Sequence, residues 1–168
     1  MVAGNAQLQR TTSARPDLGA AERWRVTTAE RITTPPVVDA QRVYVGVAGS
    51  LIAFAREDGR EVWRIPIGGQ LDAAPTIVGD RLYATLREGA VLAIHATDGK
   101  PLWKGGDGPT YFSSVVVDRG AVYGSSLGRL TELDAESGEV LWRRETDNRV
   151  SAQAQPAVTL LHVLQLSY

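Results

Sequence analysis

The chain has 168 residues, no cysteine, a formal net charge of −1 at pH 7 and 43% hydrophobic residues. That is enough for one folded domain with a sizeable core. The near-neutral charge gives no general attraction to nucleic acid or to an anionic membrane surface. Without cysteine there is no disulfide framework, thiol nucleophile or Cys-ligated zinc.

Residues 1–21 are polar and mixed, with Arg10, Arg15 and Pro16 and no clear period, and read as an arm outside the repeat. They contain no continuous apolar stretch of the kind a secretory signal needs, so no signal peptide is legible in this chain. No apolar run approaches the ~20 residues of a spanning helix. Pattern begins at Glu22, where ERWRV around Trp24 and Val26 reads as a short strand.

The sequence then repeats one order of elements. An apolar pair, Val37-Val38, follows Pro35-Pro36. A turn at Asp39-Ala40-Gln41 leads into RVYVG and then into Leu51 to Trp63, LIAFAREDGREVW. The second unit runs from Pro75 through Ile77-Val78, the turn Gly79-Asp80 and RLYAT to VLAIHATDGKPLW, Val91 to Trp103. The third runs through Val115-Val116-Val117, Asp118-Arg119-Gly120 and AVYGS to LTELDAESGEVLW, Leu130 to Trp142.

Successive tryptophans are 39, 40 and 39 residues apart, and Tyr44, Tyr83 and Tyr123 each follow a tryptophan by 20. In each copy Gly59, Gly99 or Gly138 stands four residues before the Trp. Four short strands in about 40 residues, with turn residues between them and no helical period, match the size of a β-propeller blade. The first strand of each unit is apolar at consecutive positions and is expected to be buried on both faces. The last is charged and is expected at the rim, its Trp packing between blades.

The expected architecture is therefore all-β: a partial β-propeller of about three four-stranded antiparallel blades plus incomplete terminal strands. The blades fall at about 32–67, 72–106 and 112–146, within a repeat region of 22–158. After Trp142 the pattern lapses. Pro156 comes 14 residues after its Trp, His162 replaces the expected Tyr, and 159–168 reads as an irregular tail, either a divergent terminal strand or, the favoured reading, sequence foreign to the repeat.

These units resemble the repeats of the pyrroloquinoline-quinone (PQQ) type, or quinoprotein-like, β-propeller superfamily, whose tryptophan-docking motif runs Ala-x-Asp-x-x-Thr-Gly-Lys-x-x-Trp. Ala53, Gly59 and Trp63 match in the first copy, Ala93, Gly99, Lys100 and Trp103 in the second, and Asp134, Gly138 and Trp142 in the third. The departures are Ala55 and His95 for Asp, Asp58 and Asp98 for Thr, Arg60 for Lys, Ser137 for Thr, and Glu132 for Ala. The resemblance implies a bacterial scaffold or binding propeller, nearest to the non-enzymatic outer-membrane assembly lipoproteins. It implies a cell-envelope setting for the full-length form. The alternative is a fragment of a PQQ-dependent quinoprotein dehydrogenase. Such enzymes hold PQQ beneath a disulfide of adjacent cysteines, which this chain cannot make.

Residues with chemical potential have structural readings. His95 reads as a turn residue and His162 lies in the irregular tail. Gly105-Gly106-Asp107-Gly108 lacks the Lys-Ser/Thr and strand-to-helix setting of a phosphate loop and reads as a crossover. Asp58, Asp80, Asp98, Asp118 and Asp134 read as turn formers. Ser113, Ser114, Ser125 and Ser126 have no nucleophile context. No catalytic, cofactor-binding or metal-ligating residue is assigned, and no cofactor is expected. Contacts are expected at the crossovers Gly68 to Ala74, Gly105 to Ser113 and Thr146 to Ala152. The partner is another protein or further blades of the same protein. Open blade faces at Val37, Val38 and Ile52, and at Val116 and Leu133, are expected to drive self-association.

Overall fold

The computed structural model describes residues 22–71, 73–106, 114–126 and 129–145, leaving aside the side chain of Ser126. The arm 1–21, the tail with His162, and the crossovers from Asp107 to Ser113 and Thr146 to Ala152 lie outside the described residues. Among the described residues twelve strands form three antiparallel sheets of four, each in sequence order. The first holds β1 (Val37–Val38), β2 (Arg42–Val47), β3 (Ser50–Ala55) and β4 (Glu61–Pro66). The second holds β5 (Thr76–Val78), β6 (Arg81–Thr85), β7 (Val91–His95) and β8 (Pro101–Gly105), and the third β9 (Val116–Asp118), β10 (Ala121–Ser126), β11 (Arg129–Asp134) and β12 (Val140–Glu145).

Register follows the repeat. Tyr44 stands opposite Ala53, and Ala53 opposite Trp63; Tyr83, Ala93 and Trp103 form the same row in the second sheet, and Tyr123, Glu132 and Trp142 in the third. Because side chains alternate across a strand, each row lies on one face of its sheet. The first row packs with Leu82, Ile94 and Ala96 of the second sheet, and the second row with Val122, Leu133 and Ala135 of the third. The core is thus a series of inter-sheet layers. The two middle strands of each sheet carry it, and the last strands are charged and largely exposed.

Three expectations are corrected. The first strands are not buried on both faces: Val38 is 49% exposed and Val78 46%. They are edge strands of two or three residues, each paired with one neighbour only. ERWRV forms no strand, since no described strand pairs with the backbone of 22–28. Nor are Ile52 and Leu133 open end faces, for both are fully buried. Leu133 pairs with Val122 and points back into the layer against the second sheet. Ile52 packs in a separate cluster with Val45, Val47 and Phe54. The face of the third sheet that points away from the second is set by Tyr123, Glu132 and Trp142, one residue out of step with Leu133.

Candidate functional site

The motif residues meet between sheets. The β3–β4, β7–β8 and β11–β12 turns bring Gly59, Gly99 and Gly138 to φ of 74°, 75° and 75°, a left-handed region open to glycine. Each glycine lies under the tryptophan of the preceding unit: Trp24 on Gly59, Trp63 on Gly99 and Trp103 on Gly138. The indole Nε1–H of each donates to a turn carbonyl: Trp24 to Arg56 at 2.9 Å, Trp63 to Ala96 at 3.0 Å and Trp103 to Ala135 at 3.0 Å. The tyrosine hydroxyl oxygens lie near the same carbonyls, Tyr44 at 3.4 Å from Ala96 and Tyr83 at 3.5 Å from Ala135. Ring centroids within each Tyr–Trp pair are 5.8 and 5.9 Å apart. A flat ring needs a surface without a Cβ, and its single polar atom needs an acceptor once buried.

Turn acids serve the backbone. Asp58 accepts from the Arg60 N–H and Asp98 from the Lys100 N–H, while Asp134 accepts from the Glu136 and Ser137 N–H groups. Where Ala55 and His95 replace the motif aspartate, the acid three residues later holds the turn instead. The Lys100 N–H, then its ammonium, lower the pKa of Asp98; the Ser137 N–H, then its hydroxyl, lower that of Asp134. Asp39 takes N–H bonds from Gln41 and Arg42 and the Tyr44 hydroxyl at 2.8 Å. Burial pushes its pKa up, but these three bonds outweigh it and leave the carboxyl below its ordinary range. Burial, then the Asp39 acceptor, raise the Tyr44 phenol well above its usual range.

His95 ends β7, with Nε2 3.5 Å from Asp80 Oδ2 and Nδ1 3.8 Å from Asp98 Oδ1. Asp118 flanks the β9–β10 turn, where Arg119 has φ 45°. Ser114 donates to the Ala74 carbonyl, joining the entries of the second and third sheets. Among the described residues no three His, Cys, Asp or Glu side chains group to hold a metal ion. The candidate residues are thus spread over several turns.

One concave surface lies where the first crossover passes the sheet ends; the sequence placed a contact at that crossover, Gly68 to Ala74, but not the facing wall of residues 31–33 and 48–49. Arg31, Ile32, Thr33, Ala48, Gly49, Gly69, Gln70 and Arg87 line a groove of about 630 Å³. Backbone bonds strap each wall: Ala48 N–H to the Arg31 carbonyl, and Arg87 N–H to the Gln70 carbonyl. Matching bridges, Ile32 with Val47 and Leu71 with Leu86, lie beside them. The signal was the 39-residue offset between those bridges, which makes both straps one repeated element.

A family model described as outer membrane protein assembly factor BamB matches residues 15–162. The chain belongs to this BamB family. It is 34% identical over 167 residues to the BamB of Xanthomonas campestris pv. campestris, covering 84% of this chain and 40% of that protein. It is 26% identical over 156 residues to a polyvinylalcohol dehydrogenase of Sphingopyxis sp., covering 85% of this chain and 22% of the enzyme. The crystal structure of BamB from Moraxella catarrhalis superposes with a TM-score of 0.67 at 19% identity, covering 77% of this chain and 42% of that one. That likeness bears out the partial-propeller fold. The chain spans about two fifths of the length of the BamB relative.

Proposed function

We propose that the chain is a non-catalytic propeller segment serving as a protein-binding scaffold in outer-membrane protein assembly, within a bacterial cell envelope. The observation that carries this reading is the match to the BamB family over residues 15–162, which spans the whole repeat region. The chemistry agrees, because the motif residues have structural work: Trp63 and Trp103 dock on the glycine of the next sheet, and the motif acids hold their own turns. A dehydrogenase fragment is the second reading, favoured by the 26% identity to the polyvinylalcohol dehydrogenase. The third sheet's outer face, with Trp142 37% exposed, would receive a further blade or a second protein.

Deleting the gene in its own bacterium tests the proposal. The expected result is a lower level of folded outer-membrane barrels, read by heat-modifiable gel mobility and restored by complementation. Unchanged barrels together with lost quinone-dependent alcohol oxidation would overturn it in favour of the enzyme.

A further inference from the structure

The turns that seat the indoles differ in chemistry between the three copies. In the third, Asp134 stands four residues before the glycine and holds the turn, and Ser137 precedes Gly138. In the first two, Ala55 and His95 stand at that place, and the turn acid has moved next to the glycine, as Asp58-Gly59 and Asp98-Gly99. The docked indole requires glycine there, so no side chain shields the peptide nitrogen that follows either aspartate. The remaining Asp-Gly pair, Asp107-Gly108, lies outside the described residues.

We infer that Asp58-Gly59 is a site of spontaneous isoaspartate formation and that this modification unseats Trp24. The Gly59 nitrogen attacks Asp58 Cγ, the acid's OH leaves with the amide proton as water, and a succinimide ring closes. Water then adds at the former main-chain carbonyl of Asp58 and breaks its bond to the Gly59 nitrogen. The chain is left linked through Cγ, with a free α-carboxylate. In the closed turns the Gly59 N–H donates to the Ala55 carbonyl and the Gly99 N–H to that of His95, both at 2.9 Å, so each reaction waits on local opening. Two differences favour Asp58. Gly59 is covered by Trp24, whose segment is exposed and pairs with no strand, whereas Gly99 lies under Trp63, 8% exposed on β4. Ring closure also needs the neutral acid. The Lys100 N–H, then its ammonium 3.1 Å from Oδ2, hold the Asp98 carboxyl ionised, while no cation among the described residues pairs with Asp58. Isomerisation lengthens the backbone by one methylene just before Gly59 and takes the carboxylate off the Arg60 N–H, which shifts the glycine beneath Trp24. The inference is independent of the scaffold reading above.

Purified chain aged in warm, mildly acidic buffer tests it, by digestion with a protease that cuts before aspartate but not before isoaspartate and mass analysis of the fragments. Asp58 should become resistant roughly tenfold faster than Asp98. In urea the two should react at similar rates; a ratio that persists there would trace to neighbouring residues and overturn the structural ranking. Trp24→Ala, checked for folding by circular dichroism, should speed the change at Asp58 and leave Asp98 alone, and Lys100→Met should speed Asp98. As isoaspartate accumulates, the Trp24 indole N–H should exchange faster while that of Trp63 keeps its rate, and Asp58→Glu should abolish the change. Equal rates at the two sites in folded chain, or an Asp58 rate indifferent to Trp24→Ala, would overturn the inference. Isoaspartate at Asp58 with Trp24 exchange unaltered would overturn the unseating.

Discussion

Replacing Gly99 by alanine isolates what the docking of one sheet on the next contributes. Two penalties add there. A φ of 75° costs a non-glycine residue about 1–2 kcal/mol. A Cβ would come 2.9 Å from Trp63 Cδ2, so the indole must move off its 3.0 Å bond to the Ala96 carbonyl. Loss of that bond costs about 0.5–1.5 kcal/mol more. Reduced freedom of the unfolded chain returns about 0.4–1 kcal/mol. The net expectation is a loss of about 1–3 kcal/mol. Gly79 is the control, because its φ is 60° but nothing lies within 4 Å of its missing Cβ. Gly79→Ala should therefore cost about 1 kcal/mol less. Urea unfolding followed by tryptophan fluorescence gives both values, and the difference should vanish in a Trp63→Ala background. Equal losses at Gly99 and Gly79 in the unmodified chain would refute the docking argument.

Trp63 is 8% exposed, so Trp63→Ala should lose about 3–5 kcal/mol by urea unfolding. Trp24→Ala should lose clearly less, since its segment pairs with no strand. Asp39→Asn should lower stability at neutral pH by about 1–2 kcal/mol. Its lowered pKa means that this contribution is present above the ordinary carboxylate range and fades as pH falls below it. The two proteins should therefore converge in acid, as measured by thermal unfolding across pH. Glu132→Leu should strengthen self-association in sedimentation velocity by removing the charge between Tyr123 and Trp142; an unchanged sedimentation profile would show that face to be closed.

Most of the fold was legible because a repeat states its rule three times. The 39- and 40-residue spacing of tryptophans, with glycines at one register, specified four-stranded units and the turn conformation at Gly59, Gly99 and Gly138. What sequence could not supply was facing. Leu133 looked like an end-face residue, and the register instead turns it inward while Glu132 points out. The apolar pair Val37-Val38 read as doubly buried, yet Val37 is only half-buried and Val38 is exposed, because nothing among the described residues covers that face of the short edge strand. Sequence could pair each Gly with the Trp of its own copy; only the packed sheets show that the glycine receives the preceding Trp. The groove was hidden for a similar reason. Arg31 and Arg87 are 56 residues apart in the chain and share no motif, and they meet only because two straps lie side by side.

Hydrogen–deuterium exchange of the four indole N–H protons, resolved by two-dimensional NMR on dilute monomeric chain, tests the serial docking of sheets most directly. Trp63 and Trp103 donate to buried-layer carbonyls and should exchange slowest, with Trp24 faster on its exposed segment. Trp142, with no acceptor among the described residues, should exchange fastest. Four indoles exchanging at one rapid rate would contradict the account.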